Sequence, residues 1–340
     1  MSKARQTLST LLKLGIAIAV LVLIFRKMDL QQLQVTLHST AGEWPWLLGG
    51  FLLCLPPLLL CMLRWKMILD AQDMRPGWRR VNAIFFIGLF FNSFMIGPTG
   101  GDLVKAYYTA RETNHKKTEA ISSIFIDRVI GLFVLALVVG VMILARWEFF
   151  MTHPASRVYA WPALTVCAIL ISGGVVAFSI HLFEAFPWIR RWNHIKLVGK
   201  VLETVERVYN AFYVCRANPR LLLRLALTSV LIQLYFVGVA WYVGHALGIS
   251  VTLMDYLAFT PLVGLISAIP LTPGGTGIRE FASIQLWAAL GIASDKAFLL
   301  VFIPYLFMLV WGLPGGVLFL RQGGKKPDVA HPHVRRKGVK

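Results

Sequence analysis

The chain has 340 residues, of which 57% are hydrophobic and only 15% are charged. Its mean hydropathy of +0.67 lies well outside the range of a soluble domain, which excludes a soluble enzyme or binding module. The formal net charge of +18 could indicate a nucleic-acid partner, but the basic residues lie between apolar runs and in the tail, as expected beside an anionic cytoplasmic leaflet. We therefore expect a polytopic membrane protein that binds no nucleic acid.

Six apolar segments are long enough to cross a bilayer as helices. In chain order they are 8–25, 47–63, 121–145, 162–183, 221–247 and 298–320. The first has basic residues on both sides and no cleavage pattern at its end, so we expect an uncleaved anchor. The composition predicts an all-α transmembrane domain over 1–320, with an amphipathic helix on the cytoplasmic face over 190–215 and a disordered basic tail over 321–340.

The distribution of Lys and Arg predicts the orientation of these spans. Segments 64–80 and 184–220 and the tail are rich in basic residues and should be cytoplasmic, whereas 146–161 and 248–256 are poor in them and should lie outside. Both termini are then expected in the cytoplasm.

Two further apolar stretches contain glycine-rich turns. The run 81–97 leads into "GPTGGDLVKAYY" with basic segments on both sides, so we expect a re-entrant hairpin that enters from the cytoplasm and turns at Gly97–Gly101. The runs 254–272 and 277–291 flank "LTPGGTGIREF" and are expected to enter from the outside. The turns align as GGDLVK (100–105) with GGTGIR (274–279), a weak internal repeat that predicts inverted topology and one shared polar cavity.

The chemistry of these turns favours an anionic ligand. A helix that restarts after Gly100-Gly101, or after Gly274-Gly275, is expected to present unpaired N–H groups, which a lipid phosphate could approach closely. Lys105 and Arg279 follow each turn at the same interval and could close over the phosphate. The alternative is that the glycines only allow helices to pack.

A second constellation, "SSIFIDRVIGLF", places Asp127 and Arg128 within the span 121–145. Adjacent residues on a helix do not face each other, so each is expected to need a partner elsewhere. The likely buried charges are Asp102, Lys105, Asp127, Arg128, Arg279 and Glu280, which sum to zero and could pair within one cavity. In the alternative, Asp127 and Arg128 lie at the cytoplasmic interface and extend their charges into water.

Other common chemistries have no support in the sequence. The four cysteines form no CxxC pair or Cys/His cluster, so we expect no disulfide, metal or other cofactor. The absence of a Walker A sequence indicates that this chain does not itself use ATP.

Five stretches together resemble the lysylphosphatidylglycerol synthase transmembrane region, also called the flippase-like or UPF0104 family. These are "RKMDLQQLQVTL", "RWKMIL", "GPTGGDLVKAYY", "DRVIGL" and "LTPGGTGIREF", and the resemblance covers about residues 5 to 320. The family includes the membrane half of the bacterial multiple peptide resistance factor, which is credited with moving aminoacylated phospholipid between leaflets. Relatives occur beside polyprenyl-linked glycosylation, hopanoid and cardiolipin pathways. The resemblance implies a substrate site at Gly100, Gly101, Asp102, Lys105, Arg128, Gly274, Gly275, Arg279 and Glu280.

The resemblance implies a translocase of a phosphate-bearing lipid in the bacterial inner membrane, with Asp102, Asp127 and Glu280 balancing the cations. The larger relatives carry a soluble aminoacyl-transferase domain, and this chain ends about twenty residues after its last predicted span, so we expect no synthase activity. One alternative is an integral-membrane enzyme acting on a polyprenyl or phospholipid substrate, with Asp102 or Glu280 as acid or base. Another is a non-catalytic partner of a lipid synthase or glycosyltransferase.

Overall fold

A computed structural model of the chain describes residues 30–94, 100–112, 117–179, 218–268 and 277–322, and all regular structure in these ranges is helical. Twelve helices follow one another there. They are α1 (Leu30–Gly42), α2 (Trp44–Leu53), α3 (Leu55–Ala71), α4 (Trp78–Phe94), α5 (Gly100–Glu112), α6 (Lys117–Ala145), α7 (Trp147–Thr152), α8 (Pro154–Ser179), α9 (Pro219–Ala246), α10 (Leu253–Ser267), α11 (Ile278–Ala288) and α12 (Ser294–Gln322).

Five helical segments are long and apolar enough to cross a membrane. They are Trp44–Ala71, which joins α2 and α3, and then Thr118–Ala145, Ser156–Gly173, Pro219–Ala246 and Ser294–Arg321. Each corresponds to one predicted span, which confirms the all-helical, multi-pass class. The predicted span 8–25, the amphipathic helix 190–215 and the tail beyond residue 322 lie outside the described residues.

Two predicted loops are wrong in part. The basic segment 64–80 begins inside α3, because Arg64 is paired with Asp127 and Lys66 with Asp70, so neither charge forces the helix to end. The predicted outer loop 146–161 is mostly helical. It contains α7 and the start of α8, where Pro154 occupies the first position of the helix and its missing N–H is not needed.

Helices α3 and α9 lie antiparallel and define the two ends of the bundle. Arg64 donates a hydrogen bond from Nη1 to Ser229 Oγ (2.9 Å), while the rings of Trp46 and His245 lie 4.7 Å apart at the start of α2 and the end of α9. We call the end where α3 finishes and α9 begins end A. The end where α2 begins and α9 finishes is end B.

The first hairpin, α4 and α5, has its open side at end A. Arg80 and Glu112 pair there at 2.9 Å, whereas at the closed side the Gly101 N–H donates to Asn92 Oδ1 at 2.9 Å. The helices touch through glycine: a Cβ on Gly101 would overlap the Gly88 carbonyl oxygen and lie 2.7 Å from the Asn92 nitrogen. Gly101 therefore allows α4 and α5 to pack closely.

The second hairpin, α10 and α11, has its open side at end B. The rings of Tyr256 and Trp287 lie 5.2 Å apart on its two helices, and Tyr256 packs against Gly244 in the last turn of α9. Both hairpins pack along α12: Arg279 lies 4.7 Å from the Tyr305 ring, and a Cβ on Gly312 would lie 3.4 Å from Ser93 Oγ. Tyr305 and Gly312 are two turns apart, so the hairpins approach from opposite ends to within about 10 Å along α12.

Two separate apolar cores support the hairpins. The core under the first hairpin includes Trp65, Val81 and Ile124, which join α3, α4 and α6. The larger core around the second hairpin includes Phe259 and Trp287 and draws also on α6, α8, α9 and α12. Each hairpin is therefore held in place by contacts with spanning helices as well as by contacts between its own two helices.

Candidate functional site

Five charged side chains gather between α3, α5 and α6. Arg64 Nε donates to Asp127 Oδ1 at 2.7 Å, and Arg128 Nε donates to Asp102 Oδ2 at 2.8 Å. The fifth is Lys105, on the same helix as Asp102. The expectation that Asp127 and Arg128 each require a partner on another helix is confirmed.

Lys105 is buried, and no carboxylate among the described residues pairs with it. It is 6% exposed, and its Nζ lies 4.3 Å from the centre of the Trp65 ring and 5.2 Å from that of Phe85. Within the described ranges no hydrogen bond or ion pair holds the ammonium. A cation–π contact contributes about 2 kcal/mol when desolvated, whereas removing an ammonium from water costs several kcal/mol, so the rings offset only part of that cost. In the charged state the five groups carry one net positive charge, which favours an anion.

Arg64 belongs to this cluster and was missed by sequence reasoning. Its side chain is buried, and Gly131 makes room for it, because a Cβ there would lie 3.2 Å from both terminal nitrogens of the guanidinium. Asp127 and Gly131 are one turn apart on α6 and thus flank the same guanidinium. The apolar residues that follow Arg64 in "RWKMIL" were the signal that the helix continues beyond it.

Asp127 and Arg128 differ in burial although they are neighbours in sequence. Asp127 is buried against Arg64, while the Arg128 side chain is 54% exposed. The interfacial alternative therefore does not apply to Asp127. In the Asp102–Arg128 pair the guanidinium is therefore the exposed member, whereas the Asp102 side chain is only 15% exposed.

Arg279 and Glu280 form a second charged group at the start of α11. Glu280 is fully buried and accepts a hydrogen bond from the Gly277 N–H through Oε2 (2.5 Å). Its Oε1 accepts from Arg279 Nε (3.1 Å) and also from Nη2. Gly277 has φ +87°, the left-handed conformation that glycine adopts without strain. The Nη1 group of Arg279 has no partner among the described residues.

At the start of each of the two helices α5 and α11, one backbone N–H group is paired with a side chain. Asn92 holds the N–H of Gly101, and Glu280 holds that of Gly277. A buried N–H is costly to leave unpaired, and here a side-chain acceptor satisfies each one.

The predicted site residues are divided between two places. Asp102, Lys105, Asp127 and Arg128 come together beside α5, which begins at Gly100, while Arg279 and Glu280 pair with each other on α11. No hydrogen bond or ion pair links the two groups within the described ranges, so the six charges do not pair as one set. Gly274 and Gly275 lie outside the described residues.

Comparison with known proteins places the chain in a family. The profile described as lysylphosphatidylglycerol synthase TM region matches residues 10–315. A UPF0104 membrane protein of Methanothermobacter thermautotrophicus is 23% identical over 76% of this chain and 78% of its own length. A UPF0104 membrane protein of Methanocaldococcus jannaschii is 22% identical over 87% of this chain and 89% of its own. No solved structure matches significantly. The chain is therefore a membrane protein of the lysylphosphatidylglycerol synthase transmembrane-region family.

Proposed function

We propose that this protein moves a phosphate-bearing lipid between the two leaflets of the bacterial inner membrane, and that it is not itself an enzyme. The lipid class is a phospholipid, an aminoacylated phospholipid or a polyprenyl-phosphate-linked lipid. The observation that carries the proposal is the pair of hairpins approaching along α12 from opposite ends, each with a cation in the first turns of its second helix: Lys105 in α5 and Arg279 in α11.

Helix lengths support a re-entrant arrangement. The four hairpin helices have 17, 13, 15 and 11 residues, or about 25, 20, 22 and 16 Å at 1.5 Å per residue. Each is shorter than the hydrocarbon core of about 30 Å. Hairpins that return to the side of entry, one from each face, form the inverted repeat used by many transporters.

The two cations offer successive positions for a phosphate. Among the described residues, no carboxylate pairs with the buried Lys105, and none bonds to the Nη1 group of Arg279 beside its contact with Glu280. In the proposed cycle the head group lies on one cation when the site faces one leaflet and on the other when it faces the opposite leaflet. Asp102, Asp127 and Glu280 hold the neighbouring guanidinium groups in place while the lipid is absent. A lipid synthase or glycosyltransferase would supply or consume the lipid.

Leaflet exchange in liposomes tests the proposal directly. Purified protein is reconstituted without ATP, and movement of a fluorescent phosphatidylglycerol or of a polyprenyl phosphate is followed by quenching from outside. A charge-assisted phosphate contact contributes about 1.5–3 kcal/mol, so Lys105→Gln and Arg279→Gln should each slow exchange roughly tenfold to hundredfold. Arg279→Lys should recover part of the loss, because a point charge replaces the planar group.

Arg157→Gln is the matched control, because Arg157 is exposed on α8. It should leave exchange unchanged. Exchange no faster than in protein-free vesicles, for both lipid classes, would overturn the transport proposal and favour an enzyme or a partner of a lipid synthase.

A further inference from the structure

A cavity of about 230 Å³ lies between α9, α10, α11 and α12 beside Arg279. Its walls are mainly apolar and include Val239, Ala240, Val263, Trp287, Leu300 and Met308. Polar side chains are few: Gln233, Thr260 and Arg279 are among them. The cavity is thus a hydrocarbon-like space with a guanidinium on its wall.

The walls of the cavity extend along α12. Its walls reach from Leu300 to Met308 on that helix, about 12 Å at 1.5 Å per residue. Arg279 lies against Tyr305, in the part of the cavity nearer the middle of the bundle. A chain lying along α12 would therefore have one end at the cation and the other toward Trp287 and Leu300.

The volume and the lining favour an apolar guest. Engineered apolar cavities of roughly 150 Å³ stay dry and take up small hydrocarbons, because water finds too few polar partners in them. This cavity is larger and partly open, and most of its wall is equally apolar. Water alone would fill it poorly.

A glycine keeps the cavity open. Gly264 lines it from α10, and a Cβ built on this residue would meet no atom within 4 Å. Glycine in the interior of a helix is less favourable than almost any other residue, so α10 gives up helix stability at this position. The space that a side chain would occupy is instead part of the cavity.

We propose that this cavity binds one hydrocarbon tail of an anionic lipid whose head group lies on the Nη1 group of Arg279. The inference rests on the proposed function for its ligand class and adds where the tail is held. It predicts selectivity for an amphiphile with a negative head group, because a short anion would lack the tail contacts and a cationic amphiphile would be repelled.

Photolabelling in nanodiscs provides the test. The probe is a hexadecyl phosphate with a diazirine in its tail, and cross-linked residues are identified by mass spectrometry. Cross-links are expected on Val239, Val263 or Leu300 in the cavity wall. Unlabelled hexadecyl phosphate should compete, whereas hexadecyltrimethylammonium and inorganic phosphate at equal concentration should not.

Gly264→Leu separates loss of the site from loss of the fold. The leucine would enter the cavity and suit the helix better, so the melting temperature should stay equal or rise while cavity cross-linking falls at least tenfold. Ala240→Leu fills the cavity from the opposite wall and should have the same effect on cross-linking. Gly173→Leu is the control, since Gly173 is exposed on α8 and its Cβ would also meet nothing within 4 Å.

The results distinguish this inference from the transport proposal. Cross-linking in the cavity without leaflet exchange would support the tail site and overturn the transport proposal. Cross-linking that is unchanged in both filled variants, or equal competition by the cationic amphiphile, would overturn the tail site. Exchange at the wild-type rate in a stable Gly264→Leu protein would show that the tail site is not used in transport.

Discussion

Arg64 and Asp127 illustrate how single residues carry charge inside this bundle. Both are buried, their ion pair is 2.7 Å long, and Ser229 accepts a further hydrogen bond from the guanidinium. A buried pair of this kind contributes little net stability compared with apolar residues, but removing one partner leaves the other charge unpaired. The pair therefore makes the positions of α3, α6 and α9 interdependent.

Arg64→Ala should destabilise the protein strongly. Breaking a buried pair costs about 3–5 kcal/mol, because the Asp127 carboxylate would remain in the interior without its main partner. Thermal unfolding in detergent measures the effect. The double variant Arg64→Met with Asp127→Leu should be more stable than Arg64→Ala. Arg75→Ala is the control, because its pair with Asp73 is exposed and its loss should not change the stability. If Arg64→Ala also left the stability unchanged, Arg64 would not be required for folding.

At the residue scale, the sequence indicated which charged residues require a partner, but it did not identify the partners. The adjacency of Asp127 and Arg128 correctly indicated that each requires a charge from another helix. It could not identify Arg64, because a count of basic residues cannot distinguish a buried arginine from a cytoplasmic one. Asn92 and Glu280 were likewise missed as acceptors for helix N–H groups, because those contacts depend on how the hairpin closes.

The two hairpins are the elements that position the cations of the candidate site. In the first, Gly88 and Gly101 bring α4 and α5 so close that the stem of Lys105 packs on Gly88. In the second, Glu280 closes the start of α11 and holds Arg279 toward α12. In one hairpin a close glycine contact fixes a cation near the turn. In the other hairpin a carboxylate does the same.

Gly101→Ala separates packing from ligand approach. The added methyl group would overlap the Gly88 carbonyl oxygen, so α4 and α5 must move apart. Overpacking usually costs about 1–3 kcal/mol, and a clear fall in melting temperature is expected. Gly42→Ala is the control, because a Cβ there meets nothing within 4 Å. Wild-type stability combined with lost lipid exchange would instead show that Gly101 lies where the lipid must approach.

Element positions were predictable where hydrophobicity is continuous. The spans 121–145, 221–247 and 298–320 match α6, α9 and α12 closely. The loops were less predictable, because α7 and the start of α8 are polar enough to resemble a connection but are stabilised by tertiary packing: Phe150 and Ala160 are completely buried. Local composition does not contain that information.

At the scale of the whole molecule, the described helices repeat one arrangement. A spanning helix, a hairpin and a second spanning helix occur as α3, α4–α5 and α6, and again as α9, α10–α11 and α12. Because α3 and α9 are antiparallel, the two hairpins have their open sides at opposite ends. The inverted repeat that the two Gly-Gly turns and the charge of their flanks predict stays a prediction, and the separation of the charges into two groups was not anticipated.

Charge distribution predicts how the bundle lies in the membrane. Arg75, Arg79, Arg80, Arg111 and Arg321 all lie at end A, where α3, α5 and α12 finish and α4 begins. Basic residues favour the cytoplasmic side, so end A should be cytoplasmic and end B outside. On this prediction the C-terminus is expected in the cytoplasm, and a full crossing by the segment 8–25 would place the N-terminus there too.

Cysteine accessibility tests this orientation and both hairpins at once. In a background with the four native cysteines replaced by alanine, Arg75→Cys and Asn114→Cys precede and follow the first hairpin and should both label from the cytoplasm. Ser250→Cys and Ser294→Cys precede and follow the second hairpin and should both label from the outside. An impermeant maleimide applied to intact cells and to inverted vesicles distinguishes the two sides. Opposite labelling within either pair would mean that the hairpin crosses the membrane instead of returning. All four cysteines labelling from one side would rule out the inverted arrangement, and a lipid would then meet both cations from the same leaflet.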